Sequence, residues 1–398
     1  MDGMTRAESG ASASGRDATL DLLKGAGCLL MIMAHSALKL KNYDEFTFYG
    51  GLAPVMFFGP AAVTASFQVG RHKPRGVLVT YLFLLLIGFS FNRITDVGFL
   101  GELEMDMLQI IAVGAALIFL LELYVRPRLW VYLLFGVLFF AGKFLVQDLL
   151  RGISISGVTN LIAPPGVFPI FPWLFLFFFG LFAYRVRNVF NLVIAVGCAA
   201  AAFLLRELGV TLLIRNKWDM TIGYFLVCAI LWFGSVFVLR AVPWFRNARV
   251  LSWLSYLGRN SLLFLYVHFP LILYFKEIRN LRTVPVIREY PFLFWLIILA
   301  LTALIMLLLL RLARWERLAS VFDHLAVWIL ITIAVFAGGL LIQDDDLVYV
   351  LEVSLGTTAA LFFPRLVGIL KEKRRAPTAR PAAQAETGAV RGVGSAGG

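Results

Sequence analysis

Apolar runs of about twenty residues, each closed by charged or helix-breaking residues, follow one another through most of this chain. That length is what a helix needs to cross the ~30 Å hydrocarbon core of a bilayer. Twelve runs can be drawn, at 19–38, 47–69, 77–92, 105–122, 129–147, 166–184, 189–206, 219–239, 253–275, 291–310, 325–342 and 347–369. The third is short and the second, ninth and twelfth are interrupted, so ten to twelve spans are expected. The predicted fold class is all-α, a polytopic helical bundle integral to a membrane. It occupies residues 19–370, between a polar N-terminal tail at 1–18 and a basic C-terminal tail at 371–398. The C-terminal tail is rich in Pro, Ala and Gly, has nothing to bury and is expected to be disordered. Residues 1–18 are polar and rich in Gly, Ser and Ala, so no signal peptide is expected before the first run.

Composition removes other classes. Apolar residues make up 60% and charged residues 15%, whereas soluble domains carry roughly 25% charged residues. A disordered chain and a water-solvated globule are both excluded. The formal net charge is +12, from 36 Lys and Arg against 24 Asp and Glu. In a membrane protein such an excess reads as topology, and no nucleic-acid partner is expected. Cys28, Cys198 and Cys228 lie inside apolar runs without C-x-x-C spacing, so neither a disulfide nor a metal site is predicted.

With the N-terminus in the cytoplasm, the inner loops and tails take the larger share of the basic residues, including Arg71, Lys73, Arg126, Arg185 and Arg240. Lys143 and Lys217 then fall to the outer loops. The acids Asp44, Glu45, Asp96, Glu102, Glu104 and Asp344 to Asp346 also fall outside, so both termini are expected in the cytoplasm.

Polar residues inside spans point to function, because apolar packing does not offset their cost in hydrocarbon. The first run holds Asp21, Lys24 and His35. His35 follows Lys24 by eleven positions, which is ~1100° of helix rotation and about 16 Å of rise. Asp21 lies one turn before Lys24, so all three share a stripe. The stripe reads either as two interfacial residues and a structural histidine, or as a polar channel with a general base or acyl acceptor along it. In the second run Gly50, Gly51, Pro54, Gly59 and Pro60 predict a kinked helix or a broken one lining a cavity.

The ninth run carries Arg259, Asn260 and Ser261 near its cytoplasmic end and His268 eight positions after Asn260. On a continuous helix that spacing sets His268 at the depth of His35. His268 is either a catalytic partner or a helix-to-helix hydrogen bond. At the outer start of the fourth run, Asp106 and Gln109 are one turn apart, and the Asp106 carboxylate is placed to hold the tautomer of His35.

The stretch R-D-A-T-L-D-L-L-K-G from Arg16, followed by His35, resembles the first-helix signature of the transmembrane acyltransferase superfamily. That superfamily includes the acyltransferase-3 proteins and the heparan-α-glucosaminide N-acetyltransferase-like group. Three further stretches agree in order: APVMFFGP from Ala53 to Pro60, FPIFPW from Phe168 to Trp173, and LGRNSL from Leu257 to Leu262, running on to His268. The last two are most similar to the heparan-α-glucosaminide N-acetyltransferase-like branch. This chain departs from the pattern at Lys24, where the family usually has Arg, and at Leu265, which stands where a Tyr is common, with Tyr266 next to it.

The resemblance implies that cytosolic acyl-CoA, with acetyl-CoA the expected donor, enters a polar pore and that the acyl group reaches an acceptor at the far side. The acceptor would be a sugar or glycolipid offering a hydroxyl or amine. It also implies that His35 is catalytic, and the polar residues at its depth add Asp106 and His268 beside it. Lys24, Arg259, Asn260 and Ser261 are expected on the donor, where basic groups neutralise CoA phosphates. Gln109 and Trp173 are expected on the acceptor, with Asn260 or Gln109 polarising the oxyanion. His35 acts as general base or forms an acyl-histidine. The competing class is a proton-coupled secondary transporter of a small polar or anionic solute, which twelve spans and intramembrane ionisable groups also suit. The expected location is a bacterial-type inner or plasma membrane.

Overall fold

A computed structural model describes residues 17–39, 44–95, 104–150, 158–164, 166–247, 249–277 and 284–370. The expectations for most of the N-terminal tail, for Asp96 and Glu102 and for the C-terminal tail lie outside the described residues. Among the described residues the chain is helical and without strands.

The first helices are α1 (Ala18–Lys39), α2 (Asp44–Gly51), α3 (Ala53–Gln68), α4 (Pro74–Thr95) and α5 (Met107–Leu120), the last running into a π-helical turn at Leu121–Val125. Next come α6 (Leu129–Leu150), α7 (Ile170–Arg185), α8 (Asn188–Glu207) and α9 (Ile222–Ala241). The chain closes with α10 (Ser252–Arg259), α11 (Ser261–Glu277), α12 (Pro291–Leu312), α13 (Leu325–Leu341) and α14 (Asp345–Leu370). Among the described residues nine helices are long and apolar enough to cross a membrane. A tenth is obtained if Glu316–Asp323 and Leu325–Gly338, bent by 82°, count as one. The chain is thus a multi-pass integral membrane protein. The sixth and ninth apolar runs yield shorter helices, Ile170–Arg185 and Ser261–Phe275.

The ninth run is not continuous. Asn260 leaves helical geometry at φ −109° and ψ 27°, ending α10, and α11 starts at the next residue. The second run is kinked at Leu52, between α2 and α3, yet Phe48–Gln68 remains one span.

α1 is the hub, packing against α2, α3, α10, α11 and α12. Its crossing with α10 is a backbone contact. A Cβ on Gly25 would lie 2.1 Å from the Leu254 carbonyl oxygen, and one on Gly258 would lie 1.9 Å from the Asp21 carbonyl oxygen. Only glycine fits at both positions. The contact sets Lys24 and Arg259, each beside one of these glycines, at the same end of the bundle. Toward the other end a Cβ on Gly50 would lie 2.2 Å from the Ala34 backbone nitrogen, so α2 lies just as tightly on α1.

Charged side chains inside the helices are mostly spoken for. Arg185 holds Glu122 through both guanidinium nitrogens, at 2.6 and 2.9 Å, and the Tyr132 hydroxyl donates to the same carboxylate. This bidentate pair ties α7 to the π-helical end of α5. Large apolar side chains of α8 such as Val189, Val193, Val196 and Phe203 point outward. On a soluble protein so large an apolar surface would mark a docking patch, whereas here it is the face a bilayer covers.

Gly258→Ala should force α1 and α10 apart and lower stability by about 1–3 kcal/mol or more. Gly234→Ala, where a Cβ meets nothing within 4 Å, should be neutral or stabilising. Unfolding midpoints of both variants in detergent check this. Equal midpoints would show that the crossing can open freely.

Candidate functional site

Two cavities lie end to end along α1. One, of about 310 Å³, is at the Lys24 end and is lined by Lys24, Arg259 and Ser261 together with Thr64, Gln68, Thr80 and Tyr81. The other, of about 260 Å³, is at the His35 end and is lined by His35, Thr95, Asp106, Lys217 and Trp218 beside Phe91, Phe168 and Phe269. Met31, Met107 and Leu265 line both, so each cavity ends where the other begins.

At the first end the Lys24 ammonium lies 3.5 Å from the Asp21 carboxylate, one turn earlier on α1. Arg259 is exposed, and its Nε donates to the Ser255 carbonyl at 3.4 Å. The two cations and Ser261 share the wall of this cavity. Asn260 is placed differently. Its side-chain nitrogen donates to the Tyr256 carbonyl at 2.9 Å and its own carbonyl accepts from the Phe264 amide, so Asn260 is the joint between α10 and α11.

At the other end the two histidines meet. His35 Nδ1 is 2.8 Å from His268 Nε2, and His268 Nδ1 is 2.7 Å from the Phe264 carbonyl oxygen. A carbonyl only accepts, so a neutral His268 carries its proton on Nδ1 and presents a lone pair at Nε2. That lone pair accepts the Nδ1 proton of His35, which leaves His35 Nε2 as the basic nitrogen of the pair. His268 is fully buried and His35 half-buried, with Phe269 edge-on to the His35 ring at 4.7 Å. The group that holds the His35 tautomer is therefore His268.

Asp106, expected in that role, lines the same cavity but is committed to the start of α5. Its carboxylate accepts from the Met107 amide at 2.6 Å and from the Thr95 hydroxyl at 3.3 Å. Gln109 completes a reciprocal cap by accepting from the Asp106 amide at 3.1 Å, and its nitrogen donates to Asn92 at 2.7 Å. Gln109 is fully buried with both polar atoms engaged, outside the cavity wall. Trp173 is also fully buried, packed edge-on against Phe58 and Phe168, so it backs the cavity wall rather than forming it. Tyr266 turns toward α4, where its hydroxyl meets Ser90 at 2.8 Å and donates to the Ile87 carbonyl at 2.9 Å, while Leu265 faces the cavities.

Lys217, read from sequence as a loop charge, lines the His35 cavity, with its ammonium 3.9 Å from the centre of the Trp218 ring. Lys143 is not a loop charge either. It is buried within α6 and donates to the backbone carbonyls of Asp219 and Met220, 2.8 Å away in the second case, pinning the segment that carries Lys217 and Trp218. The Tyr224 hydroxyl donates to the Gly51 carbonyl and ties α9 to α2 beneath that segment. In the sequence Lys217 and Trp218 are marked only by the cluster Arg215-Asn216-Lys217-Trp218 between two apolar runs, and a hairpin between spans carries no period from which direction can be read.

Fold and cavities define a multi-pass helical membrane protein with two largely apolar chambers, each carrying a few charged or polar side chains, that abut along one helix. Comparison with known proteins finds no match: no family model, no curated protein and no solved structure is similar to the chain.

Burial lowers the Lys217 pKa from its ordinary 10.5 to about 8, and the nearby Asp106 carboxylate opposes that shift. The folded state then binds fewer protons than the unfolded chain between pH 8 and 10.5, so this group's effect on stability becomes more favourable as pH rises through that window. Lys217→Met should be more stable than the wild type at pH 7, with the difference closing between pH 8 and 10.5. Paired unfolding midpoints across that range test it, and a pH-independent difference would count against burial as the cause.

Proposed function

We propose that the protein is a membrane acyltransferase. It takes an acyl group, acetyl in the simplest case, from acyl-CoA at the Lys24 end and passes it to a hydroxyl or amine of a sugar or glycolipid acceptor at the His35 end. The observation that carries this reading is the abutment of the two cavities, one lined by Lys24 and Arg259 and the other by His35, which the buried His268 backs through a hydrogen bond. The resemblance of the first helix and of the FPIFPW and LGRNSL stretches to the transmembrane acyltransferase superfamily supports it.

On this reading Lys24 and Arg259 neutralise the phosphates of CoA, and Asp21 holds Lys24 toward the cavity. The thioester carbonyl reaches His35. The acceptor O–H or N–H gives its proton to His35 Nε2 as the oxygen or nitrogen attacks the carbonyl carbon. The new C–O or C–N bond forms, the C–S bond breaks, and the departing CoA sulfur takes the proton from His35. His268 accepts the Nδ1–H throughout and so stabilises the transient imidazolium. In the variant with a covalent step, the same Nε2 attacks the thioester first. Gln109 and Asn260 are occupied elsewhere, and Lys217, which lines the same cavity as His35, is the cation that would stabilise the oxyanion. The donor side is cytoplasmic, with both chain termini on it, in a bacterial-type inner or plasma membrane.

The histidine relay also favours a second reading, a proton-coupled carrier. Purified protein heated with millimolar acetyl-CoA separates the two. A ligand at ~100 times its dissociation constant adds about 2.7 kcal/mol to the folded state, so the unfolding midpoint should rise with acetyl-CoA, less with ATP, and less again in Lys24→Ala. Release of CoA thiol in the presence of glucosamine as acceptor probe should fall ~10²–10⁴-fold in His35→Ala. Equal shifts with acetyl-CoA and ATP, or thiol release indifferent to His35, would overturn the enzyme reading in favour of the carrier.

A further inference from the structure

We infer, on the acyl-transfer reading above, that Met31, Met107 and Leu265 are the partition through which the acyl group passes and that they set the longest acyl chain the protein accepts. All three line both cavities. They are 2%, 7% and 2% exposed, so the partition is made of buried side chains. Met31 stands four positions before His35 on α1, and Leu265 stands three before His268 on α11. Met107 follows Asp106 at the start of α5. One helical turn is ~5.4 Å, so on two helices at once the partition lies one turn from the hydrogen-bonded histidines.

That position has a chemical consequence. The attacked carbonyl must come within roughly 3–3.5 Å of the acceptor atom, and that atom must be within hydrogen-bond reach of His35. A donor held by Lys24 and Arg259 therefore has to push its carbonyl past these three side chains. Whatever is attached to the carbonyl goes through ahead of it, into a chamber of about 260 Å³ that also receives the acceptor.

The backbone around the partition has little room to give. Gly25 and Gly258 fix α1 against α10, and Gly50 fixes it against α2. Opening falls to side-chain rotation, for which the unbranched thioethers of Met31 and Met107 are well suited. The aperture that two methionine rotations provide is small, and short acyl chains are the class that fits.

The test uses the full chain in lipid vesicles with acetyl-, butyryl- and octanoyl-CoA as donors, glucosamine as acceptor probe and CoA thiol release as readout. A missing or added methylene in such a pocket changes kcat/KM by ~10–200-fold. Met31→Ala and Met107→Ala should each raise the butyryl-to-acetyl ratio of kcat/KM by about tenfold or more. Met31→Phe should depress turnover with every donor while keeping the unfolding-midpoint shift given by acetyl-CoA. Where an alanine variant does not fold, Met31→Leu conserves volume but adds a branch and should lower the butyryl-to-acetyl ratio. Wild-type thiol release with donor ratios unchanged across these variants would overturn the partition and leave acyl transfer standing. No thiol release by the wild type from any donor would overturn both.

Discussion

A lysine and a histidine on one stripe of a hydrophobic helix restrict how the rest of a membrane protein packs. Neither Lys24 nor His35 is tolerated facing lipid, so α1 has to be enclosed by other helices along that stripe. The enclosure is what the fold provides, with α2, α3, α10, α11 and α12 around α1. Because α1 runs from one end of the bundle to the other, its stripe passes through both cavities. The backbone contacts at Gly25, Gly258 and Gly50 follow from the same demand. A helix that must be surrounded closely leaves no space for Cβ atoms where its neighbours cross.

The two ends differ in how their charge is held. At the Lys24 end Arg259 is exposed and Lys24 is paired with an aspartate on its own helix. At the His35 end the polar groups form a chain from a helix carbonyl through His268 to His35, beside an aspartate that caps α5 and a lysine brought in by a loop. The first arrangement suits a mobile anion that arrives from water. The second fixes a tautomer in a confined space, the requirement for moving a proton to or from a bound molecule. On the proposed function, this division of labour separates donor binding from chemistry by the length of half a span.

Much of this was legible in the sequence. Apolar run length set the helices, and the eleven-residue step from Lys24 to His35 placed both on one line, since both inferences need only helix geometry. Spacing puts His268 near the depth of His35, while their 2.8 Å contact comes from the packing of α11 on α1. What stayed hidden involves competition for hydrogen bonds. Spacing alone offers Asp106 as the holder of the His35 tautomer, but an aspartate just before a helix is a better partner for that helix's own amides, and Gln109 is drawn into the same cap. Asn260 looked like a ligand residue on a continuous helix, whereas the chain breaks there and spends its amide on the break. Lys143 and Lys217 were sorted by position among the outer charges, although the Lys143 ammonium can reach carbonyls of a loop far along the chain.

The segment between α8 and α9 stands apart from the rest of the cavity walls. The Lys24 chamber is bounded by helices locked together through their main chains, so a substitution there disturbs the whole bundle. The Lys217 and Trp218 side of the other chamber hangs from a short hairpin held by the carbonyl bonds from Lys143. Changes at Lys217 or Trp218 alter the shape and charge of one chamber at a distance from the α1–α10 crossing. The two ends are therefore separable units of variation, and substitutions that reshape the His35 chamber through this hairpin need not touch the glycine contacts that bound the Lys24 chamber.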